Sequence, residues 1–481
     1  MQAAPAANRF RFILPNYFRC RRLAFGPKLR VLSGFQERHG EAVKAGARRK
    51  HLITAEIAEK AAETAKVEPC KAFLCVLRGP SSAISAVRSF GPDDRYRYDG
   101  PTLMKANPHI AVIGAGAFGG WTALHLLERG ARVTLLDAWG PGNSRASSGG
   151  ETRVMRGAYG PDQPYTEMAA RALKLWAKYE RKWKQQFLHR CGVLWMASGG
   201  DDAFERGSLK ALRAAKIKFQ ELSAAQLKRR WPQINFDGIQ WAIHEPECGY
   251  LDARASCQAV VEAFVTAGGK YRQVAVLSDE LENAPLRSLT LSDGSRLKAD
   301  FYVFACGPWL GKLFPQAIGN LVQTTKQEIF FFGTPPGDDR FSDAHLPVWG
   351  DHLGRFRYGI PGSGRRGFKI ADDTRGPAFD PTNGERVVDP ETLKDIREYV
   401  GFRFSALKDA PLLETRVCQY EQTPDSHFII DRHPAMKNVW IVGGGSGHGF
   451  KHGPAVGEMV ADLILKDREP TAIFQLARFN L

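Results

Sequence analysis

The chain has 481 residues, which predicts two or three domains, and its 43% hydrophobic and 25% charged residues are typical of a soluble globular protein. It contains no run of about 18 apolar residues, so we expect no membrane-spanning helix. The eight cysteines include no CxxC pair and no repeated short spacing. We therefore expect neither a disulfide framework nor a metal site, and we expect a reducing cytoplasm.

The net charge of +16 is concentrated in a basic extension over residues 1–104. Residues 1–103 hold 19 Lys and Arg against 9 Asp and Glu, which gives ten of the sixteen net charges. Three interpretations are open: an organelle transit peptide, a basic arm for nucleic acid or a membrane surface, or a segment that is poorly ordered or non-native. We favour the third, with the working protein beginning at Met104, and expect no nucleic-acid or membrane partner.

The strongest local pattern is HIAVIGAGAFGGWTALHLLERGARVTLLD. Apolar residues 110–113 predict a buried strand, and Gly114, Gly116 and Gly119 follow it as G-x-G-x-x-G. A helical pattern and a second strand come next, and that strand ends at Asp137. The glycines permit a diphosphate to approach the helix N-terminus, and the acid is placed to accept from a ribose hydroxyl. The pattern predicts a dinucleotide site, without distinguishing NAD from FAD.

Two later segments distinguish the cofactors. Residues 297–309 (LKADFYVFACGPW) predict a strand that ends in small residues. Residues 438–464 predict a strand, a glycine-rich turn and a helix beginning near Pro454. A second glycine-rich turn near the carboxyl terminus lets the chain return to a long cofactor such as FAD. We therefore expect an α/β protein with a Rossmann-type, glutathione-reductase-like FAD-binding domain.

From about Lys105 to its end, the chain resembles the monomeric sarcosine oxidase family of the D-amino-acid-oxidase-like group, whose relatives include N-methyltryptophan oxidase and pipecolate oxidase. The resemblance rests on the ordered motifs GAGAFG, GGETRVMRGAYG, YGIPGSGRRGFK, CQYEQTPDSHFIIDRHP and GGGSGHGFKHGPAVGE. It implies an FAD-dependent oxidase that converts the C–N bond of a secondary or primary amino acid to an imine and reduces O2 to H2O2. A dehydrogenase that uses a quinone or carrier, and a non-catalytic flavin-binding protein, are the alternatives.

The resemblance also implies a covalent flavin. The family attaches its flavin through the cysteine of a C-x-Y motif, which here is Cys418 with Tyr420 beside it. A thiolate is the nucleophile that this bond requires, although a lone cysteine is more often a buried structural residue. The predicted cofactor-binding residues are Gly114, Gly116, Phe118, Gly119, Asp137, Arg145, Ser148, Thr152, Arg153, Val274, Gly307, Trp309, Cys418, Gly445, Gly447, Gly449 and Lys451.

Five further roles follow from the resemblance. Arg153 lies against the flavin, while Arg156 and Lys451 bind the substrate carboxylate, for which the planar fork of arginine is well suited. Lys369 lies near flavin N5 and stabilises superoxide, and Tyr358 lines the substrate pocket. The alternative for each is an ordinary surface or packing role. The two arginines are three residues apart and share a face if this segment is a helical turn.

Two departures from the family concern the substrate. Gly149 occupies a position where the family often has a histidine, and Asp373 replaces a second pocket histidine four residues after Lys369. We place Asp373 and Tyr420 among the substrate-binding residues. An acid in the pocket favours a substrate with an extra cation, unless it faces water.

The order of the motifs predicts a discontinuous architecture. The FAD-binding domain comprises residues 105–188, 249–322 and 424–481, and an α+β substrate domain comprises 189–248 and 323–423. Runs such as TTKQEIFFFG and FRYGIPG predict a mostly antiparallel sheet in the substrate domain. The expected partners are a small amino acid and O2, and we expect a monomer or a weak oligomer.

Overall fold

The computed structural model describes residues 107–278, 281, 285–362, 364 and 366–480. The predicted basic extension over residues 1–104 lies outside these residues. None of the helices in the described ranges has the length and apolar character needed to span a membrane.

The described part of the chain forms nineteen strands and nine α-helices. The strands are β1 (His109–Ile113), β2 (Arg132–Asp137), β3 (Thr152–Met155), β4 (Leu188–His189), β5 (Val193–Ser198), β6 (Gln220–Ser223), β7 (Ile239–Glu245), β8 (Gly249–Asp252), β9 (Lys270–Gln273), β10 (Leu289–Thr290), β11 (Arg296–Leu297), β12 (Phe301–Phe304), β13 (Gln323–Phe332), β14 (Val348–Asp351), β15 (Arg357–Ile360), β16 (Phe368–Asp372), β17 (Leu412–Gln422), β18 (Ile429–His433) and β19 (Met436–Gly443). The helices are α1 (Ala117–Glu128), α2 (Gln163–Trp183), α3 (Ala203–Ala214), α4 (Ala224–Arg230), α5 (Ala253–Thr266), α6 (Leu310–Leu313), α7 (Pro315–Ile318), α8 (Pro390–Arg403) and α9 (Gly453–Leu465).

A six-stranded sheet has the order β18-β19-β12-β1-β2-β9 and is parallel except for its edge strand β18. Side chains of β1 alternate between two apolar clusters, because Ile110 and Val112 pack on one face while Ala111 and Ile113 pack on the other. A strand covered on both faces has to be apolar throughout, which explains the run that predicted it. Helices α5 and α9 pack against α1, as the glycine-rich pattern of a Rossmann-type domain requires.

An eight-stranded sheet has the order β17-β13-β16-β15-β14-β5-β7-β6. Its neighbouring strands are antiparallel except for the pair β14 and β5. The first half of β13 alternates between buried and more exposed side chains, which is the period of a half-buried strand. The predicted mostly antiparallel sheet is therefore confirmed. Residues of α8 anchor to it through a fully buried ion pair between Arg403 and Asp351, 2.8 Å apart.

A small antiparallel sheet, β3-β8-β4, corrects one prediction. Residues 152–155 form a strand, so the interpretation of Arg153 and Arg156 as one face of a helical turn is wrong. The physical reason is a distant partner, since Arg153 pairs in register with Leu251 of β8.

The strands of the two large sheets fall within the predicted domain ranges. The six-stranded sheet draws its strands from 105–188, 249–322 and 424–481, and the eight-stranded sheet draws them from 189–248 and 323–423. The described residues belong to one compact unit, so the domain boundaries stay a prediction.

Candidate active site

The turn between β1 and α1 is built so closely that side chains are excluded. Gly114 has a φ of +104°, and a Cβ on it would collide with the carbonyl oxygen of Ala305. A Cβ on Gly119 would collide with the carbonyl oxygen of Gly114, because α1 packs directly on the end of β1. A Cβ on Gly116 would make only an ordinary van der Waals contact, 3.5 Å from Ser148 Oγ. The turn thus leaves a glycine-lined approach to the helix N-terminus.

The first amides of α1 are available to an anion. The residue that caps α1, Gly116, has no side chain that could accept a hydrogen bond from the first amides of the helix. Of these amides, only that of Ala117 donates to a side chain, Ser148 Oγ, at 3.2 Å. The amides of Phe118 and Gly119 have no acceptor among the residues that the structure describes. Because the helix dipole is positive at this end, the turn fits the diphosphate of a dinucleotide.

A cleft of about 1310 Å³, including its open mouth, extends from this turn. Trp139 and Trp309 form one apolar wall, with ring centroids 4.8 Å apart. The predicted cofactor-binding residues that line the cleft are Gly114, Gly116, Phe118, Asp137, Ser148, Arg153, Val274, Gly307, Trp309, Gly445, Gly447 and Gly449. Both predicted glycine-rich turns therefore reach the same cleft, as a long cofactor requires.

Asp137 lines this cleft at the end of β2 and also supports two backbone turns. Its carboxylate accepts hydrogen bonds from the amides of Ala115 at 2.7 Å, Trp139 at 2.9 Å and Gly140 at 2.7 Å. Burial raises the pKa of Asp137, against the effect of these hydrogen bonds. A ribose hydroxyl that donated to Asp137 would share a carboxylate oxygen that already accepts a hydrogen bond from a backbone amide.

Five predicted cofactor-binding residues lie outside the cleft lining. Gly119 packs α1 against β1, and the guanidinium of Arg145 donates to Thr382 O while lying 6.0 Å from the Trp139 ring. The other three, Thr152, Cys418 and Lys451, line an adjoining cavity.

This adjoining cavity, of about 730 Å³, shares lining residues with the cleft and is called the inner cavity below. The shared residues are Arg153, Tyr420, Gly447 and Phe450. All the predicted catalytic and substrate-binding residues line the inner cavity, namely Arg153, Arg156, Tyr358, Lys369, Asp373, Tyr420 and Lys451. They come from β3, β15, β16, β17 and the glycine-rich turn before α9, together with the residues that directly follow β3 and β16.

Cys418 lies on β17 in the inner cavity with its thiol beside a cation. Its Sγ is 3.5 Å from Nη2 of Arg153. The Arg153 guanidinium is held in place by the carbonyl oxygens of Ser147 and Thr152. A thiol beside a fixed guanidinium is in the electropositive setting that is typical of reactive cysteines.

Lys369 is 3% exposed on β16, and its charge has little compensation. Its Nζ donates to Thr152 O at 2.9 Å and lies 3.3 Å from Thr152 Oγ1. No carboxylate forms an ion pair with it within the described ranges. Burial, helped by the nearby Arg153, lowers the pKa of Lys369 to about 7.

Arg156 and Lys451 place two cations near one tyrosine. The Arg156 guanidinium lies 3.9 Å from the ring centroid of Tyr159 and 5.2 Å from that of Trp195, and it pairs with no carboxylate in the described part of the chain. Lys451 Nζ donates to Tyr159 Oη at 2.9 Å and to His448 O at 2.7 Å. Burial lowers the pKa of Lys451 well below its usual range. The half-buried Arg156 and the buried Lys451, neither of which forms an ion pair with a carboxylate of the described residues, suit a carboxylate ligand.

Three side chains in or beside the site escaped the sequence reasoning. Tyr159 Oη is 2.6 Å from His452 Nε2 as well as bonded to Lys451, and it belongs to the GAYG run of a motif already noted. Buried Glu245 accepts from the amide of Gly157 at 2.7 Å and so holds the loop after β3, but nothing in the sequence near it signals this. Burial raises the pKa of Glu421 to about 7 in the cleft wall.

A Rossmann-type cleft joined to a cationic inner cavity fits a dinucleotide-dependent oxidoreductase of a small anionic substrate. The chain belongs to the DAO family of FAD dependent oxidoreductases, whose model matches residues 109–463. Monomeric sarcosine oxidase from Bacillus sp. (strain NS-129) is 30% identical over 382 residues, which cover 78% of this chain and 98% of that enzyme.

Two further comparisons agree with this membership. N-methyl-L-tryptophan oxidase from Yersinia pestis (strain Pestoides F) is 28% identical over 381 residues, 77% of this chain and 99% of that enzyme. The solved structure of L-proline dehydrogenase from P. horikoshii has the same fold, with a TM-score of 0.68 at 22% identity over 78% of this chain and 99% of that one. The protein is thus an FAD-dependent oxidoreductase that acts on CH–NH bonds.

Proposed function

We propose that the protein is an oxidase of a secondary or primary amino acid of the sarcosine, N-methyl amino acid or pipecolate type. It oxidises the C–N bond to an imine, which water hydrolyses, and it reduces O2 to H2O2. One observation carries the proposal: the inner cavity brings Cys418, Lys369, Arg156 and Lys451 together next to the dinucleotide cleft. A protein that only bound a flavin would have no need of all four residues in one place.

The residues present fit FAD. The two glycine-rich turns and the free amides of α1 would hold its diphosphate, and Arg153 would lie at its ring end, where cleft and inner cavity meet. Cys418 would attach it covalently through the flavin 8-methyl group. When bound, the flavin supplies the two-electron chemistry.

The side chains of the inner cavity supply position and charge. Arg156 and Lys451 bind the substrate carboxylate, and Tyr159 orients Lys451. Tyr358 and the aromatic residues near it exclude water from the reacting carbon. The Lys369 cation stabilises the negative charge that develops on oxygen as it is reduced.

Two assays on the purified holoenzyme test the proposal with sarcosine, N-methyl-L-tryptophan, pipecolate, proline and glycine. The first measures anaerobic reduction of a dye, and the second measures peroxide release in air. We expect at least one of these amino acids to yield one H2O2 per molecule oxidised. Dye reduction without peroxide would instead indicate a dehydrogenase that uses another acceptor, and activity in neither assay with any substrate would contradict the proposal.

We further propose that the enzyme acts as a monomer or weak oligomer in the cytoplasm. The mild net charge of the chain after Leu103 supports the absence of a polyanionic partner. Its FAD-binding and substrate domains have the boundaries predicted above.

A further inference from the structure

One acid faces the inner cavity among cations. Asp373 directly follows β16, and its amide donates to Phe356 O at 2.9 Å, which fixes the backbone. Its Oδ1 accepts a hydrogen bond from Tyr420 Oη at 2.8 Å. Its Oδ2 has no partner among the described residues and is not enclosed by protein atoms. Asp373 therefore lines the inner cavity with one carboxylate oxygen that no described residue engages.

The neighbouring Asp372 shows what an ordinary acid does at this place. Asp372 faces Arg355 at 3.4 Å and Arg357 at 3.8 Å, whereas no cation pairs with Asp373 in the described part of the chain. Asp373 is half-buried, and acids that are withdrawn from bulk water are normally paired or hydrogen-bonded. An oxygen of Asp373 left open in a ligand cavity points to a ligand that supplies the missing donor.

The charged groups around Asp373 separate positive from negative charge within the inner cavity. Arg156 and Lys451, which suit a carboxylate, act on Asp373 through space without contacting it, while Tyr420 and Tyr358 contribute neutral hydroxyls. The cavity thus offers cations to one end of a ligand and a carboxylate to another. A small zwitterion has the matching arrangement of charges.

We propose that Asp373 is the counter-ion of the substrate ammonium group and the acceptor of its proton. This inference rests on the proposed function and names the form in which the substrate binds, a zwitterion. An ammonium nitrogen has no lone pair to stabilise the cation formed when its α-carbon is oxidised, so deprotonation must come first. In this step a substrate N–H bond breaks, an O–H bond forms on Asp373 Oδ2, and the electron pair of the broken bond stays on nitrogen. No oxidant or reductant takes part.

The acidity of Asp373 suits such an acceptor. Burial raises the pKa of Asp373 to about 6, while the hydrogen bond from Tyr420 and the charges of Arg156 and Lys451 oppose this rise. The carboxylate is ionised above that pH and is a stronger base than an exposed aspartate. A general base works best with a pKa close to the working pH.

The pH dependence of kcat/KM in Asp373→Asn tests the proton transfer, with the amino acid that the wild-type enzyme oxidises fastest in the panel above. Without this base the variant can oxidise only substrate that binds as the free amine. At pH 7 little of the substrate is in that form, so kcat/KM should fall about 10²–10⁴-fold. It should approach the wild-type value as the pH nears the pKa of the substrate amine, and Asp373→Glu should recover part of the loss. Asp372→Asn is the matched control: the charge of Asp372 shifts the pKa of Asp373 less than burial, Tyr420 or the nearby cations do, so this variant should keep kcat/KM near the wild-type value at pH 7. An equal loss at every pH, or full activity of Asp373→Asn at pH 7, would overturn the inference.

A ligand pair tests the counter-ion without turnover. Trimethylglycine and 3,3-dimethylbutanoate have the same shape and carboxylate, but only the first carries a positive charge. By calorimetry on the holoenzyme at pH 8, we expect the wild type to prefer trimethylglycine by about tenfold or more and Asp373→Asn to lose that preference. No preference in the wild type, or an unchanged preference in the variant, would contradict the inference. A preference that depends on Asp373 in a protein that oxidises none of the panel would refute the proposed function alone.

Discussion

Burial and the nearby charge of Arg153 both disfavour the protonated form of the Lys369 side chain. Lys369→Met removes the cation and keeps most of the side chain. We expect anaerobic reduction by substrate to change by no more than roughly twofold, while reoxidation by O2 slows by about 10²-fold or more, since only the second reaction develops negative charge on oxygen. Stopped-flow measurement of the two half-reactions separates them. Equal losses in both would contradict the role of Lys369 in oxygen reduction.

The same lysine predicts a pH dependence. The lowered pKa of Lys369, about 7, means that its charge is present below that pH and is lost as the pH rises through it. The rate constant of reoxidation in the wild type should therefore decrease above about pH 7. Lys369→Arg retains its charge at every accessible pH and should show a flat profile. A wild-type rate that stays constant or increases from pH 6 to pH 9 would argue against a titrating lysine.

The side chains of the inner cavity show how far the sequence alone reaches. Arg156, Lys369 and Lys451 could be proposed because each lies in a short motif with a family resemblance, and the structure brings them together. Glu245 could not, because its role depends on an amide 88 residues earlier that no local pattern connects to it. Asp373 was noted from sequence, but only the structure shows that it faces the cavity.

Among the elements, β1, α1 and β2 were predictable because they form from consecutive residues whose glycines and apolar periodicity report directly on the turn and the packing. Strand β3 was not, because its conformation comes from pairing with β8 about a hundred residues later. Three-residue spacing between two arginines carries no information on such a partner.

The turn that joins β1 to α1 gives a test at this scale with a matched pair. Gly114 and Gly130 both have positive φ, but a Cβ on Gly130 meets nothing within 4 Å while a Cβ on Gly114 collides with Ala305 O. Gly130→Ala should lower the free energy of unfolding by about 1–2 kcal/mol, because a positive φ is unfavourable for alanine even where there is space for its Cβ. Gly114→Ala adds the collision and should lower the melting temperature much further, with loss of bound flavin. Equal melting temperatures of the two variants would contradict the close approach of Gly114 to the backbone of Ala305.

At the scale of the whole molecule, the basic extension over residues 1–104 differs in composition from the rest of the chain. It also lies outside the region that matches the family. The family model matches residues 109–463, and the Bacillus sarcosine oxidase is covered over 98% of its own length. We expect a chain that begins at Met104 to keep the folded yield, the melting temperature and the turnover of the full chain. A large loss in any of the three would assign a structural or catalytic role to residues 1–103. Retention of residues 1–103 on an anionic resin at increasing salt checks a polyanion-binding role separately.

The proposed attachment of the flavin to Cys418 places the cofactor ring at the inner cavity, and acid precipitation of the purified holoenzyme tests this attachment most directly. The wild-type pellet should be yellow, and the peptide that contains Cys418 should carry the mass of the flavin. Cys418→Ser should give a colourless pellet and a yellow supernatant, while Cys306→Ser, which changes a thiol in the cleft wall, should keep the yellow pellet. A colourless wild-type pellet, or a yellow pellet from Cys418→Ser, would contradict the account.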